Sequence, residues 1–121
     1  MANFIVQMHA VNLMEVYEHY NKAFGATIKY EHKVDNGDLI HLELDIMGAK
    51  LAIAPKSPNE ITKGNVLQLY MGFRNEEELR NTYKILLDGG SGDELGSAPW
   101  SPLNGTVTDK FGVMWWIHLK K

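Results

Sequence analysis

The chain contains no cysteine among its 121 residues, which excludes disulfides, thiol nucleophiles and zinc–thiolate centres. It also lacks an excess of positive charge: 12 Lys and Arg stand against 15 Asp and Glu, for a formal net charge of −3. The basic residues are scattered, so the concentrated positive patch that nucleic-acid binding needs is missing. No apolar run approaches the length of a membrane span. The opening stretch MANFIVQMHAVN has neither the basic start nor the unbroken apolar core of a secretion signal. Nucleotide chemistry is poorly provided for as well. Gly89-Gly90-Ser91-Gly92 lacks the lysine and the strand-to-helix setting of a phosphate-cradling loop, and no Rossmann-type glycine pattern occurs. Ser57, Ser91, Ser97 and Ser101 fall in turn-rich stretches without a nucleophile setting. The expectation is a single cytoplasmic globular domain over residues 1–121, with neither nucleic acid nor membrane as partner.

What the chain does contain is a repeat. Asn12-Leu13-Met14-Glu15 has the pattern of a helix start, with Asn12 as cap and Glu15 reaching back. Asn75-Glu76-Glu77-Glu78 repeats it 63 residues later. The same offset matches Val16 to Leu79, Tyr20 to Tyr83, Ala23 to Leu86 and Phe24 to Leu87. These positions lie on one helical stripe, so each helix should bury that face. Gly25 and Gly89 stand near the two helix ends and suit left-handed caps. Apolar alternation predicts strands at 4–11, 27–32, 39–46 and 50–54, then at 66–73, 105–108 and 113–119, with a poorly patterned stretch near 91–97 filling the remaining strand position. The order is β-α-β-β-β twice, module one over about 1–56 and module two over about 64–121, with Pro55-Lys56-Ser57-Pro58-Asn59 as linker. Residues 88–105, rich in Gly, Pro and Ser, read as a long loop, either a loose connection or a lid.

Strand parity sorts the side chains onto two faces. Leu42, Leu44 and Ile46 oppose His41, Glu43 and Asp45; Leu69, Met71 and Phe73 (with Leu67) oppose Gln68, Tyr70 and Gly72. Val113, Trp115 and Ile117 oppose Met114, Trp116 and His118, and Val6 and Met8 oppose Gln7 and His9. One face should pack under the helices. The other mixes polar groups, aromatics and small residues, and reads either as a solvated surface or as a pocket wall. Trp116, Tyr70 and Met114 favour the pocket. His19 and His32 fall off this face and read as surface residues.

The segment Trp100 … Gly105-Thr106-Val107-Thr108-Asp109-Lys110-Phe111-Gly112-Val113-Met114-Trp115 resembles the C-terminal signature of PhnB-like proteins. These form a branch of the vicinal oxygen chelate superfamily, which includes the glyoxalases and bleomycin resistance proteins. Tyr20-Asn21-Lys22-Ala23-Phe24-Gly25 and Ile40-His41-Leu42-Glu43-Leu44 resemble that branch's first helix end and third strand. The resemblance implies an α+β fold of two βαβββ modules whose curled mixed sheets surround a cavity, within a homodimer. Members that use a metal take ligands from the first and last strand of each module. Transferred here, those positions fall on Ile5, Ala52, Gln68 and Trp116. Ile, Ala and Trp offer a divalent cation no donor, so no metal and no other cofactor is expected.

Two arrangements keep chemistry open. His9, His41 and His118 share the pocket parity and are competent ligands for zinc, copper or iron if they converge. His41 and Glu43, two apart on one strand, form either an acid–base pair or a polar pair that steadies the sheet. The function expected from the sequence is binding of a small organic molecule in a metal-free cavity lined by Gln7, His9, Ala52, Gln68, Tyr70, Met114, Trp116 and His118. The alternative is an enzyme acting on a small oxygenated metabolite through His41 and Glu43 or a non-standard metal.

Overall fold

A computed structural model describes residues 2–120; Met1 and Lys121, the ends of the expected domain, lie outside the described residues. The chain divides into two compact units between Thr62 and Lys63. The first contains β1 (Val6–Ala10), α1 (Leu13–Phe24), β2 (Thr27–Lys33), β3 (Leu39–Ile46) and β4 (Ala49–Pro55). The second contains β5 (Leu69–Phe73), α2 (Glu76–Leu87), β6 (Ser91–Gly92), β7 (Gly96–Ala98), β8 (Ser101–Thr108) and β9 (Met114–Leu119). The first sheet runs β1-β4-β3-β2, and the second runs β5-β9-β8-β6 with β7 also paired to β8. In each, the edge strand before the helix lies parallel to the last strand, and the remaining pairs are antiparallel. The architecture is α+β with mixed sheets, as the sequence leads one to expect; the sheets are open, and four strands rather than three follow α2, because β6 and β7 pair separately with β8.

Local chemistry explains the two helices. Asn12 Oδ1 accepts from the Glu15 amide at 3.1 Å, and Asn75 Oδ1 from the Glu78 amide at 2.9 Å, each satisfying a donor that the helix start leaves over. Helix α1 stops at Gly25, whose φ of 71° only glycine takes without strain. Helix α2 ends one residue differently: Asp88 is extended, and Gly89, at φ 77°, follows it. Val16 and Leu79 are completely buried, as are Leu42, Leu44 and Ile53 in the first unit and Val107 and Ile117 in the second. Tyr20 and Tyr83 are buried alike. The last pair of the repeat is less equal, since Phe24 is buried and Leu87 only half-buried.

Several expectations need correction. His19 is buried rather than on the surface, its ring centroid 6.1 Å from that of Tyr20. The buried stripe is wider than its apolar members show, and the residue 63 positions later, Thr82, is polar and buried too. The strands expected over 4–11 and 66–73 are each only five residues long. Their parallel partners β4 and β9 set that length, so the alternating residues outside the ladder stay in solvent: Phe4 is 92% and Leu67 81% exposed.

The loop expected over 88–105 is mostly sheet. Tyr83 from α2 reaches it with its hydroxyl 2.7 Å from the Asp93 carbonyl oxygen and 2.8 Å from that of Thr106. Gly105 leaves room for this: a Cβ there would lie 2.7 Å from the Tyr83 oxygen. Ser101, expected in the same loop, opens β8 and is buried, its Oγ 2.8 Å from the carbonyl oxygens of both Leu103 and Leu119. Glycine and serine here are not signs of looseness but small residues at close approaches.

Candidate functional site

Cross-strand register shows which side chains share a face. In the first unit, Gln7 of β1, Ala52 of β4, Glu43 of β3 and Tyr30 of β2 form one row across the sheet. The neighbouring row joins His9 to Ala54, and His41 to His32. His32 therefore stands on the same face as His41, although exposed; bulges flanking Tyr30 and His32 shift the parity assumed from the sequence. In the second unit, Tyr70 of β5, Trp116 of β9 and Thr106 of β8 form the corresponding row, and Gly72, His118 and Asn104 the next. The two faces distribute volume in opposite senses. The first unit has alanines on its last strand and large or polar groups beside them. The second has Trp116 and His118 on its last strand and glycine beside His118.

The first unit's face is a charged cluster. His41 Nε2 lies 2.8 Å from Glu43 Oε2, and Lys50 Nζ lies 3.1 Å from Glu43 Oε1. Hydrogen bonds from His41 first, and then from Lys50, hold the Glu43 carboxyl below its ordinary pKa of 4.5. Tyr30 packs its ring 6.0 Å from the imidazole of His41. All of these groups reach solvent, so the pair has the contacts of an acid–base couple without the enclosure that usually accompanies one. Lys50 was not singled out from the sequence. Parity with Ala52 puts it on this face, and the pairing of β3 with β4 brings it within reach of Glu43.

The second unit's face is aromatic. Trp116 and His118 stack with centroids 4.6 Å apart and planes 8° from parallel, and Tyr70 lies 4.6 Å from Trp116 and 4.5 Å from His118. Asn104 Oδ1 accepts from Trp116 Nε1 at 3.3 Å, which fixes the indole. Gln68 just precedes β5 and donates from Nε2 to Thr106 Oγ1 at 3.3 Å. Met114, half-buried, starts the same strand. His118 is buried, and burial first, with the charge of Lys120 in addition, lowers its pKa from 6.5; the Leu119 backbone opposes this without a well-aligned hydrogen bond.

The Asp109–Gly112 turn is scaffold. The buried Asp109 carboxylate accepts from the Phe111 and Val113 amides at 2.9 and 3.0 Å through Oδ1. Its Oδ2 accepts from the indole nitrogen of buried Trp115 at 2.9 Å. An aspartate opening a turn is legible in sequence, but its second oxygen's grip on Trp115 is not.

The four positions that the sequence resemblance marks for metal ligands carry side chains that do not suit a cation. Ile5 precedes β1, Ala52 is buried, the Trp116 indole offers only a donor that Asn104 takes, and Gln68, whose Nε2 goes to Thr106, leaves a single amide oxygen, too few donors to hold an ion. Among the described residues, no three His, Asp or Glu side chains come together as a metal-holding group.

Compared by sequence, the chain matches no family model and no curated protein. Compared by structure, it is similar to a PhnB protein from Bacillus cereus that carries a 3-demethylubiquinone-9 3-methyltransferase designation. The TM-score is 0.83 at 23% identity, covering 98% of this chain and 99% of that one. It is also similar to the fosfomycin resistance protein FosX from Listeria monocytogenes, with a TM-score of 0.74, 11% identity and coverage of 100% and 94%. A glyoxalase-related enzyme from Fulvimarina pelagi gives 0.73, 17% identity and coverage of 98% and 88%. The chain thus has the fold of the vicinal oxygen chelate superfamily, with PhnB-like proteins among its structural neighbours.

Proposed function

We propose that the chain binds a small organic molecule in the manner of glyoxalase/bleomycin-resistance-type proteins, without a metal or other cofactor, as a cytoplasmic homodimer. The observation that carries this is the exchange of ligand chemistry for shape at equivalent positions: buried Ala52 in one unit and ring-stacked Trp116 in the other. Ligand contacts on the second unit's face are Gln68, Tyr70, Met114, Trp116 and His118. Gln7, His9 and Ala52 hold the corresponding face of the first unit. The FosX relative has been solved with Mn(II) and 1S,2S-dihydroxypropylphosphonic acid; the side chains described above give this chain no comparable means of holding such an ion. The methyltransferase designation of the Bacillus protein is not adopted, because the chain has no nucleotide-type glycine turn.

Dimerisation is supported by apolar side chains left in water beside two edge strands. Phe4 is 92%, Val66 93% and Leu67 81% exposed. Light scattering should report twice the monomer mass at micromolar protein; a monomer refutes the dimer. For the binding function, a panel of small organic compounds is screened by protein-observed NMR. Trp116→Ala should weaken the hits more than His41→Ala does. The opposite order would support the second reading, an enzyme for a small oxygenated metabolite using His41 and Glu43, which the 2.8 Å bond between them favours.

A further inference from the structure

The imidazole of His118 is out of keeping with a merely structural role. It is only 7% exposed, yet neither ring nitrogen has a hydrogen-bond partner. Buried polar atoms in native folds are nearly always paired, and an orphan marks a place where something else supplies the bond. Its surroundings indicate what that is. Gly72 lies opposite His118 in the ladder, and a Cβ there would sit 2.9 Å from His118 Nε2 and 2.7 Å from Lys120 Cε. Both side chains therefore lean over the one position on β5 that has no side chain. Tyr70, 64% exposed on an edge strand, forms the outer side of the same cluster, and exposed rings of this kind reorient on the picosecond-to-nanosecond scale.

Charge narrows the ligand further. On β5, β8 and β9 this face carries Tyr70, Met114, Trp116, Asn104, Thr106 and Thr108, with Gln68 bonded to Thr106, and none of these is acidic. Lys120 is the charged side chain beside them. A neutral imidazole can donate one N–H, and an ammonium group three. Such a pair beside a stacked indole matches a flat ring that ends in an anion.

We infer that His118 and Lys120, converging over Gly72, form the anion-binding end of an aromatic slot, and that the ligand class of this face is a planar aromatic acid. This rests on the small-molecule reading above and adds the ligand's charge and shape. Tyr70 turns aside to admit the acid group, and the ring packs against Trp116.

The test uses the full chain and three probes of one shape: 1-naphthoate, uncharged 1-naphthamide and cationic 1-naphthylmethylamine. Binding is read by the His118 ring-proton resonances and by tryptophan fluorescence. Naphthoate should bind saturably and shift the His118 signals, with at least tenfold weaker binding for the amide and none for the amine. Lys120→Met should remove most of the preference for the acid over the amide. Gly72→Ala should weaken naphthoate by crowding both donors. Lys120 is exposed, so its variant keeps the test valid if the Gly72 variant fails to fold. Equal binding of acid and amide, or an unchanged preference in Lys120→Met, overturns the anion site while leaving small-molecule binding intact. Failure of all three probes overturns the slot, and the compound panel then decides separately whether the protein binds small molecules at all.

Discussion

Tyr83 and Gly105 provide a test of how the second unit's outer strands are held. The Tyr83 hydroxyl is 2.7 Å from the Asp93 carbonyl oxygen and 2.8 Å from that of Thr106, in a side chain only 3% exposed. Thr106 O also accepts from the Asp93 amide at 3.1 Å, so removing the hydroxyl orphans chiefly the Asp93 carbonyl. Asp93 is exposed, so its carbonyl can turn to water, and the cost is that of an ordinary hydrogen bond, about 0.5–1.5 kcal/mol. Tyr83→Phe should therefore lower the unfolding free energy by roughly 1 kcal/mol. In Gly105→Ala, the new Cβ would lie 2.7 Å from the Tyr83 hydroxyl oxygen and 2.9 Å from its Cζ, with Leu95 Cδ2 at 3.0 Å. The main clash is with the atom that Tyr83→Phe deletes. The double variant should thus be less destabilised than the two single effects together, by on the order of 1 kcal/mol. Urea unfolding followed by far-ultraviolet circular dichroism measures all four corners of the cycle, and a shared slope keeps the comparison valid. Additivity within about 0.5 kcal/mol would refute the claim that Gly105 exists to admit the tyrosine hydroxyl.

Other outcomes follow from the same geometry. The folded pKa of His118 is lowered from 6.5, so its contribution to stability is complete above that ordinary value and is lost as pH falls toward the folded one. Unfolding free energy should decline on acidification through this window, and His118→Gln should flatten the decline; a slope unchanged by the substitution would contradict it. Asp109→Ala strips two amides and the Trp115 indole of their acceptor, and should cost about 3 kcal/mol or more with loss of the near-ultraviolet tryptophan signal. Unchanged tryptophan dichroism would refute that assignment. Asn12→Ala and Asn75→Ala should each cost about 1 kcal/mol by thermal unfolding, reflecting equivalent caps. Elemental analysis after incubation with nickel or zinc should find no stoichiometric metal at Ile5, Ala52, Gln68 and Trp116; full occupancy there would end the metal-free proposal.

The sequence was most informative where one residue's chemistry decides a local outcome. Asn12, Asn75 and Gly25 mark helix ends because caps depend on near neighbours, and the offset of 63 aligned the helices from the spacing of caps and apolar residues. It was least informative where a distant partner decides. Strands β1 and β5 end where β4 and β9 end, which alternation in Phe4 or Leu67 does not reveal. His19 and Thr82 look solvent-facing by residue type, and only packing shows them buried. The candidate site divides in the same manner. The pairing of His41 with Glu43 follows from spacing along one strand. The contributions of Lys50, Asn104 and Gly72 depend on which strands lie side by side.

Ala52 and Trp116 occupy corresponding places in the two halves, each opposite the corresponding edge-strand residue, Gln7 or Tyr70. For anyone wishing to build a metal site here this difference is an obstacle. Four ligands at the positions proposed above would require new donors at Ile5, Ala52 and Trp116 together. A carboxylate placed first at position 52 would be a buried charge with no ion to neutralise it, and one at position 116 would dismantle the ring stack with His118. Each intermediate loses something before the third change gains anything. A cation site at these positions therefore has no single-substitution route from this sequence.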